Sequence, residues 1–156
     1  MTHDLDDISV YACWTRLSET PEDIARMSMR FMKEFSTRIK TGPWEPLKGE
    51  WDGTEAGLVE VIKRNPITDD DGEPIPGDGY STTLNNDRGP LNTDFNVRAG
   101  TDRLIERVAS PRFTQKYYHS EHASAGELWD ASVHAAVTAF DPAFAVGQER
   151  AVLRMT

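Results

Sequence analysis

The chain holds one cysteine, Cys13, so no internal disulfide can brace it and its fold must rest on a packed core. Cys13 sits in the apolar run Val10-Tyr11-Ala12-Cys13-Trp14, which reads as a buried, inert thiol rather than a nucleophile. No apolar stretch approaches the ~18 residues that a spanning helix requires. The opening Met1-Thr2-His3-Asp4-Leu5-Asp6-Asp7 has neither the positive start nor the apolar segment of an export signal, so a cytosolic address is expected and membrane partners are not. A basic excess is also missing, since the formal net charge is −9. That field repels nucleic-acid phosphates and excludes most modes of nucleic-acid binding.

Catalytic motifs are scarce as well. There is no phosphate-cradling glycine loop and no nucleophile elbow, and no Ser, His and Asp stand in an arrangement that marks a triad. The run Asp69-Asp70-Asp71-Gly72-Glu73 invites a calcium reading, but Pro74 stands where the central glycine of the helix-loop-helix pattern belongs. His119 and His122 lie three apart in an expected loop, whereas paired zinc histidines commonly sit four apart on one helical face. No metal, no cofactor and no catalytic residue is therefore assigned, and a non-enzymatic role is expected.

What the 156 residues do contain, 38% hydrophobic and 28% charged, suits a single globular domain over 1–156. The negative charge is concentrated in the middle. Residues 45–95 carry 12 acidic against 4 basic groups, and the flanking segments are nearly balanced. Such a surface attracts a basic protein over about a Debye length.

Ile8 to Trp14 is rich in β-branched and aromatic residues and predicts a strand. Thr20-Pro21-Glu22-Asp23 then supplies a cap, a first-turn proline and two carboxylates for a helix start. Ile24, Met27, Phe31, Phe35 and Ile39 recur on its core face. Asp52-Gly53-Thr54-Glu55 caps a shorter helix that ends near Asn65-Pro66, with Leu58, Val61 and Ile62 inward. The segment from Thr68 to Gly79 is too rich in Gly and Pro for regular structure and predicts a long acidic loop. Tyr80–Asn85 and Leu91–Val97 form a hairpin around Asn86-Asp87-Arg88-Gly89-Pro90, and Leu104–Val108 reads as a further strand. Ser124-Ala125-Gly126-Glu127 opens a last helix with Trp129, Val133, Ala136, Val137 and Phe140 on one stripe, closed by Asp141-Pro142. The order predicts an α+β fold, a mainly antiparallel sheet with two or three helices packed against it.

Long irregular loops in compact domains are often functional. Asp69, Asp70, Asp71, Glu73 and Asp78 are therefore the first candidates for a partner-binding surface, followed by Asp87 and Arg88 at the hairpin tip and by Tyr117 and Tyr118.

Three segments carry a family resemblance. Tyr11 to Ala25 runs from a strand through Trp14, Arg16 and a Glu19-Thr20 turn into a long helix with Ala25 in its opening turns. Pro76 to Asn86 leads into a central hairpin, and Ala139-Phe140-Asp141-Pro142-Ala143-Phe144-Ala145 ends the last helix. In this order they resemble the bacterial family of immunity protein 52. Members of that family continue through further strands where this chain stops at Arg154-Met155-Thr156, so a short variant or a sheet lacking its last strands is expected. The resemblance implies an antitoxin that binds and neutralises a cognate toxin, such as a nuclease delivered by a contact-dependent or type VI secretion route. It brings no catalytic residues. The alternatives are an unrelated protein-binding or regulatory module and, further off, a hydrolase.

Overall fold

Thr20, Thr54 and Ser124 each cap a helix by accepting a hydrogen bond from a backbone N–H three residues on. At Thr20 the box closes in both directions: Asp23 N–H donates to Thr20 Oγ1 at 3.1 Å, and Thr20 N–H donates to Asp23 Oδ2 at 3.0 Å. That backbone hydrogen bond is the main reason the Asp23 carboxyl is held below its usual range. A computed structural model describes residues 3–4, 8–104 and 111–149. Its elements are β1 (His3–Asp4), β2 (Ile8–Cys13), α1 (Pro21–Ser36), β3 (Glu45–Pro46), α2 (Glu55–Lys63), β4 (Tyr80–Asn86), β5 (Leu91–Ala99), β6 (Arg112–Ser120), α3 (Ala125–Phe140) and β7 (Phe144–Glu149).

The strands form one antiparallel sheet in the order β3-β4-β5-β6-β2-β7, with β1 beside the end of β6. Its alternation is clean in the long strands: Leu91, Thr93, Phe95, Val97 and Ala99 of β5 are buried, and the residues between them are half-buried. The buried side faces the helices. Helix α1 lies between α2 and α3, while α2 also reaches β4 and α3 reaches β2. The fold is α+β, as the sequence predicts.

The core centres on Phe31, fully buried, whose ring lies 4.6 Å from that of Phe113 and 4.9 Å from that of Phe95. Ile24, Phe35, Leu58, Val61 and Ile62 are buried as expected, and Ile39 is buried just beyond the end of α1. Asn86 acts as a clamp at the hairpin end. Its amide accepts from Gly42 N–H at 3.1 Å and donates to Gly42 O at 2.6 Å, tying the segment after α1 to the sheet. The approach needs glycine on both sides, because a Cβ on Gly42 would stand 2.9 Å from Gly89 N.

Three expectations change. Residues 112–120, assigned no strand from sequence, form the central strand β6, and His119 and Ser120 are its end rather than loop. The buried face of α3 is Leu128, Ala131, Ser132, Ala135, Ala136, Ala139 and Phe140, whereas Val137 is 49% exposed and Trp129 and Val133 are half-buried. Close packing against α1 selects the small alanine face over the bulky one. Cys13 is half-buried on the outer sheet face, because β2 turns Val10 and Ala12 inward instead. The expected strand at 104–108 falls almost wholly outside the described residues, with Leu104 itself exposed and not in a strand.

Candidate functional site

The side of the sheet away from the helices presents rows of polar side chains set by the register. One row crosses Asn85, Asp94, Lys116 and Ser9, the next Thr83, Asn96, Thr114 and Tyr11, and the third Ser81, Arg98, Arg112 and Cys13. Arg98 and Arg112 sit directly opposite each other, an arrangement that costs energy between like charges. Burial first, and then the charge of Arg112, pulls the Arg98 guanidinium below its ordinary pKa, while Asp78 acts the other way.

At the β4 end of the third row stands the acidic loop, and it is more ordered than its composition predicts. Thr68 bridges to Pro74, Ile75 N–H donates to Ile67 O at 2.9 Å, and Ile67 N–H donates to Gly79 O at 2.9 Å. Asp69 shapes the loop from within. Its Oδ1 accepts from Asp71 N–H and from Glu73 N–H, each at 2.9 Å, which closes the turn around Gly72 at φ 82°. Asp78 is likewise occupied, paired with Arg103 at 3.0 Å with its side chain only 20% exposed. Asp70, Asp71 and Glu73 remain exposed and make no ion pair among the described residues. Of five candidate carboxylates, three are thus displayed and two serve the loop itself.

The other candidates are not brought to that surface. Asp87 and Arg88 are exposed, with Arg88 paired to Glu45 at 3.2 Å, but they lie at the opposite end of β4, ~20 Å away by strand rise. Tyr117 is fully buried and is excluded from any contact surface, because the alternation of β6 turns it inward with Phe113 and Gln115. Its hydroxyl meets Ser132 of α3. Tyr118 is exposed and donates to Asp94 Oδ2 at 2.8 Å. It is the extra residue of a bulge, since Asn92 pairs with His119 and Thr93 with Tyr117. His119 ends a strand and His122 is exposed beside Glu121 at 3.8 Å, and among the described residues no group of three His, Cys, Asp or Glu is placed to hold a metal ion.

The first and third motif segments meet in space. Trp14 stacks on Phe140 with centroids 5.2 Å apart and donates its indole N–H to Glu19 Oε1 at 2.6 Å. Arg16 lies over the Trp14 ring, pairs with Glu19 at 3.3 Å, and donates to Asp141 O at 3.0 Å and to Phe140 O. A cation is thereby set on the negative end of α3, where Asp141 adopts the left-handed conformation. These residues hold the strand, both long helices and the turn together, which is a framework role and not a reactive one.

No family model matches this chain, and no curated protein matches it. Among the described residues no helix is long and apolar enough to cross a membrane.

Proposed function

We propose that the chain is an immunity protein that binds and neutralises a cognate secreted bacterial toxin in the cytosol, with the turn at residues 69–73 facing a basic surface of that toxin. The observation that carries this reading is the display of Asp70, Asp71 and Glu73 on a turn whose backbone is already fixed by Asp69. Charges held this way need little ordering on binding, so their attraction acts on the encounter without a large entropic offset. The resemblance of the three motif segments to immunity proteins supplies the kind of partner. Neither argument requires a reaction, and the framework role of Trp14, Arg16 and Glu19 leaves the motif without a catalytic residue.

The test pairs the chain with the toxin domain encoded beside its gene. Co-expression should restore growth, and the purified pair should associate faster at low salt. The triple variant Asp70→Asn, Asp71→Asn, Glu73→Gln should slow association and flatten its salt dependence while altering stability by less than about 0.5 kcal/mol. A partner that is neither bound nor neutralised would remove the immunity reading. Binding with an unchanged rate and salt slope in the triple variant would move the interface away from this turn.

A further inference from the structure

Over the edge of β4 lies a cleft of about 320 Å³, at the lower end of the size range of small-molecule sites. Its floor is the short stretch of strand between two edge hydrogen bonds, Leu47 N–H to Thr83 O at 2.9 Å and Ser81 N–H to Asn65 O at 3.0 Å. Among the described residues no acidic side chain lines this cleft, whereas Lys48 and Arg98 both do.

The polar groups around these cations are turned to donate. Asn96 Nδ2 donates to Ser81 Oγ at 3.1 Å and to Thr83 Oγ1 at 3.0 Å, so both hydroxyls accept from behind and keep their own protons for an acceptor in front. A buried polar atom of a lining residue, Arg98 Nε, meets no hydrogen-bonding partner among the described residues. Such groups are costly unless something satisfies them. The carboxylate that acts on Arg98, Asp78, is itself engaged by Arg103 at 3.0 Å. Pro46, Leu47 and Pro66 provide an apolar wall, Leu47 being 63% exposed.

We propose that this cleft is a binding site for a small ligand bearing an oxyanion, held by Arg98, Lys48 and the hydroxyls of Ser81 and Thr83. The cleft adjoins the base of the turn at residues 69–73 through Thr68, and its test uses the isolated chain.

Titrating the protein with inorganic phosphate and with phenyl phosphate, at constant ionic strength set by sodium chloride, and following amide and arginine Nε–H NMR signals reads the site directly. Saturable shifts should gather on Arg98 Nε–H and on the Ser81 to Thr83 amides, and neutral benzyl alcohol should produce none. Tighter binding of phenyl phosphate would mark an organic ligand and equal binding a free anion, and either outcome supports the site. Lys48→Gln and Arg98→Gln should each weaken binding by about tenfold, the scale of one charge-assisted hydrogen bond. Lys48 is exposed and Arg98→Gln removes a like-charge pair, so both variants are expected to fold. Absence of localised shifts, shifts spread equally over surface cations such as Arg26 and Arg30, or undiminished binding in both folded variants would overturn the proposal.

Discussion

Replacing Phe31 by Ala should be among the most damaging single changes in this chain. The ring is fully buried and meets four others, with centroids at 4.6 Å to Phe113, 4.9 Å to Phe95, 5.7 Å to Phe35 and 6.0 Å to Phe140. Two of these neighbours stand on strands β5 and β6 and one on α3, so the surroundings cannot collapse into the space without shifting both layers. The cost should therefore fall in the upper part of the ~3–5 kcal/mol range for Phe to Ala in a core. In a domain of this length each kcal/mol lowers the melting temperature by roughly 2–4 °C, so a loss of about 4 kcal/mol corresponds to a drop of about 8–16 °C. Urea unfolding followed by tryptophan emission suits the test, because Trp14 stacks on Phe140 and Trp44 meets Phe95 at 5.2 Å, both inside the same cluster. Val137→Ala, at a position 49% exposed, serves as the control and should cost under about 0.5 kcal/mol. A loss below about 1.5 kcal/mol for Phe31→Ala, or an equal loss in the control, would refute this account of the core.

Two further outcomes follow from other contacts. Burial raises the Tyr117 phenol well above its usual range, with the Ser132 hydroxyl opposing in part, so the folded chain holds that proton more tightly than the unfolded one. Its contribution is complete below the unfolded value near ~10 and is lost as pH rises beyond it. Denaturation midpoints should fall above pH ~10 in the wild type and fall less steeply in Tyr117→Phe, with a residual slope from Tyr11, which burial and then Cys13 also raise. An identical slope in the variant would refute the assignment. Arg16→Gln should cost about 1–2 kcal/mol, a figure discounted for a side chain 41% exposed, and Arg16→Lys should recover less than half because an ammonium cannot reach Glu19 and both carbonyls together. Full rescue by lysine, read from the same unfolding curves, would show that charge alone matters there.

The helix starts at Thr20, Thr54 and Ser124 and the hairpin of β4 and β5 are legible in the sequence because capping residues and turn residues act locally. Strand β6 is not, since its inward positions include Gln115, Tyr117 and Ser120, and polar residues turned toward the core leave no apolar alternation to read. The face of α3 is misread for a related reason: side-chain size points to Trp129, Val133 and Val137, while the distance to α1 favours alanine. Of the site, the exposure of Asp70, Asp71 and Glu73 is legible from composition. The closure of the turn by Asp69, the pairing of Asp78 with Arg103 and the donor array around Arg98 depend on which residues the register places side by side.

The bulge at Tyr118 works like a shift of reading frame in the two-residue rhythm of β6. Before it, odd-numbered residues face the helices. After it Ser120 does, and its Oγ accepts from Ala123 N–H at 3.0 Å at the approach to α3. Removing Tyr118 would leave an uninterrupted strand in which Ser120 still pairs with Leu91 and still faces the helices, whereas drawing Tyr118 into the ladder without a deletion would turn Ser120 to the outer face. A single deletion is thus better tolerated at this one position than elsewhere in β6, where it would invert the facing of the residues beyond it. A chain without the extra residue can therefore keep the same junction between sheet and α3, with Ser120 still accepting from Ala123 N–H.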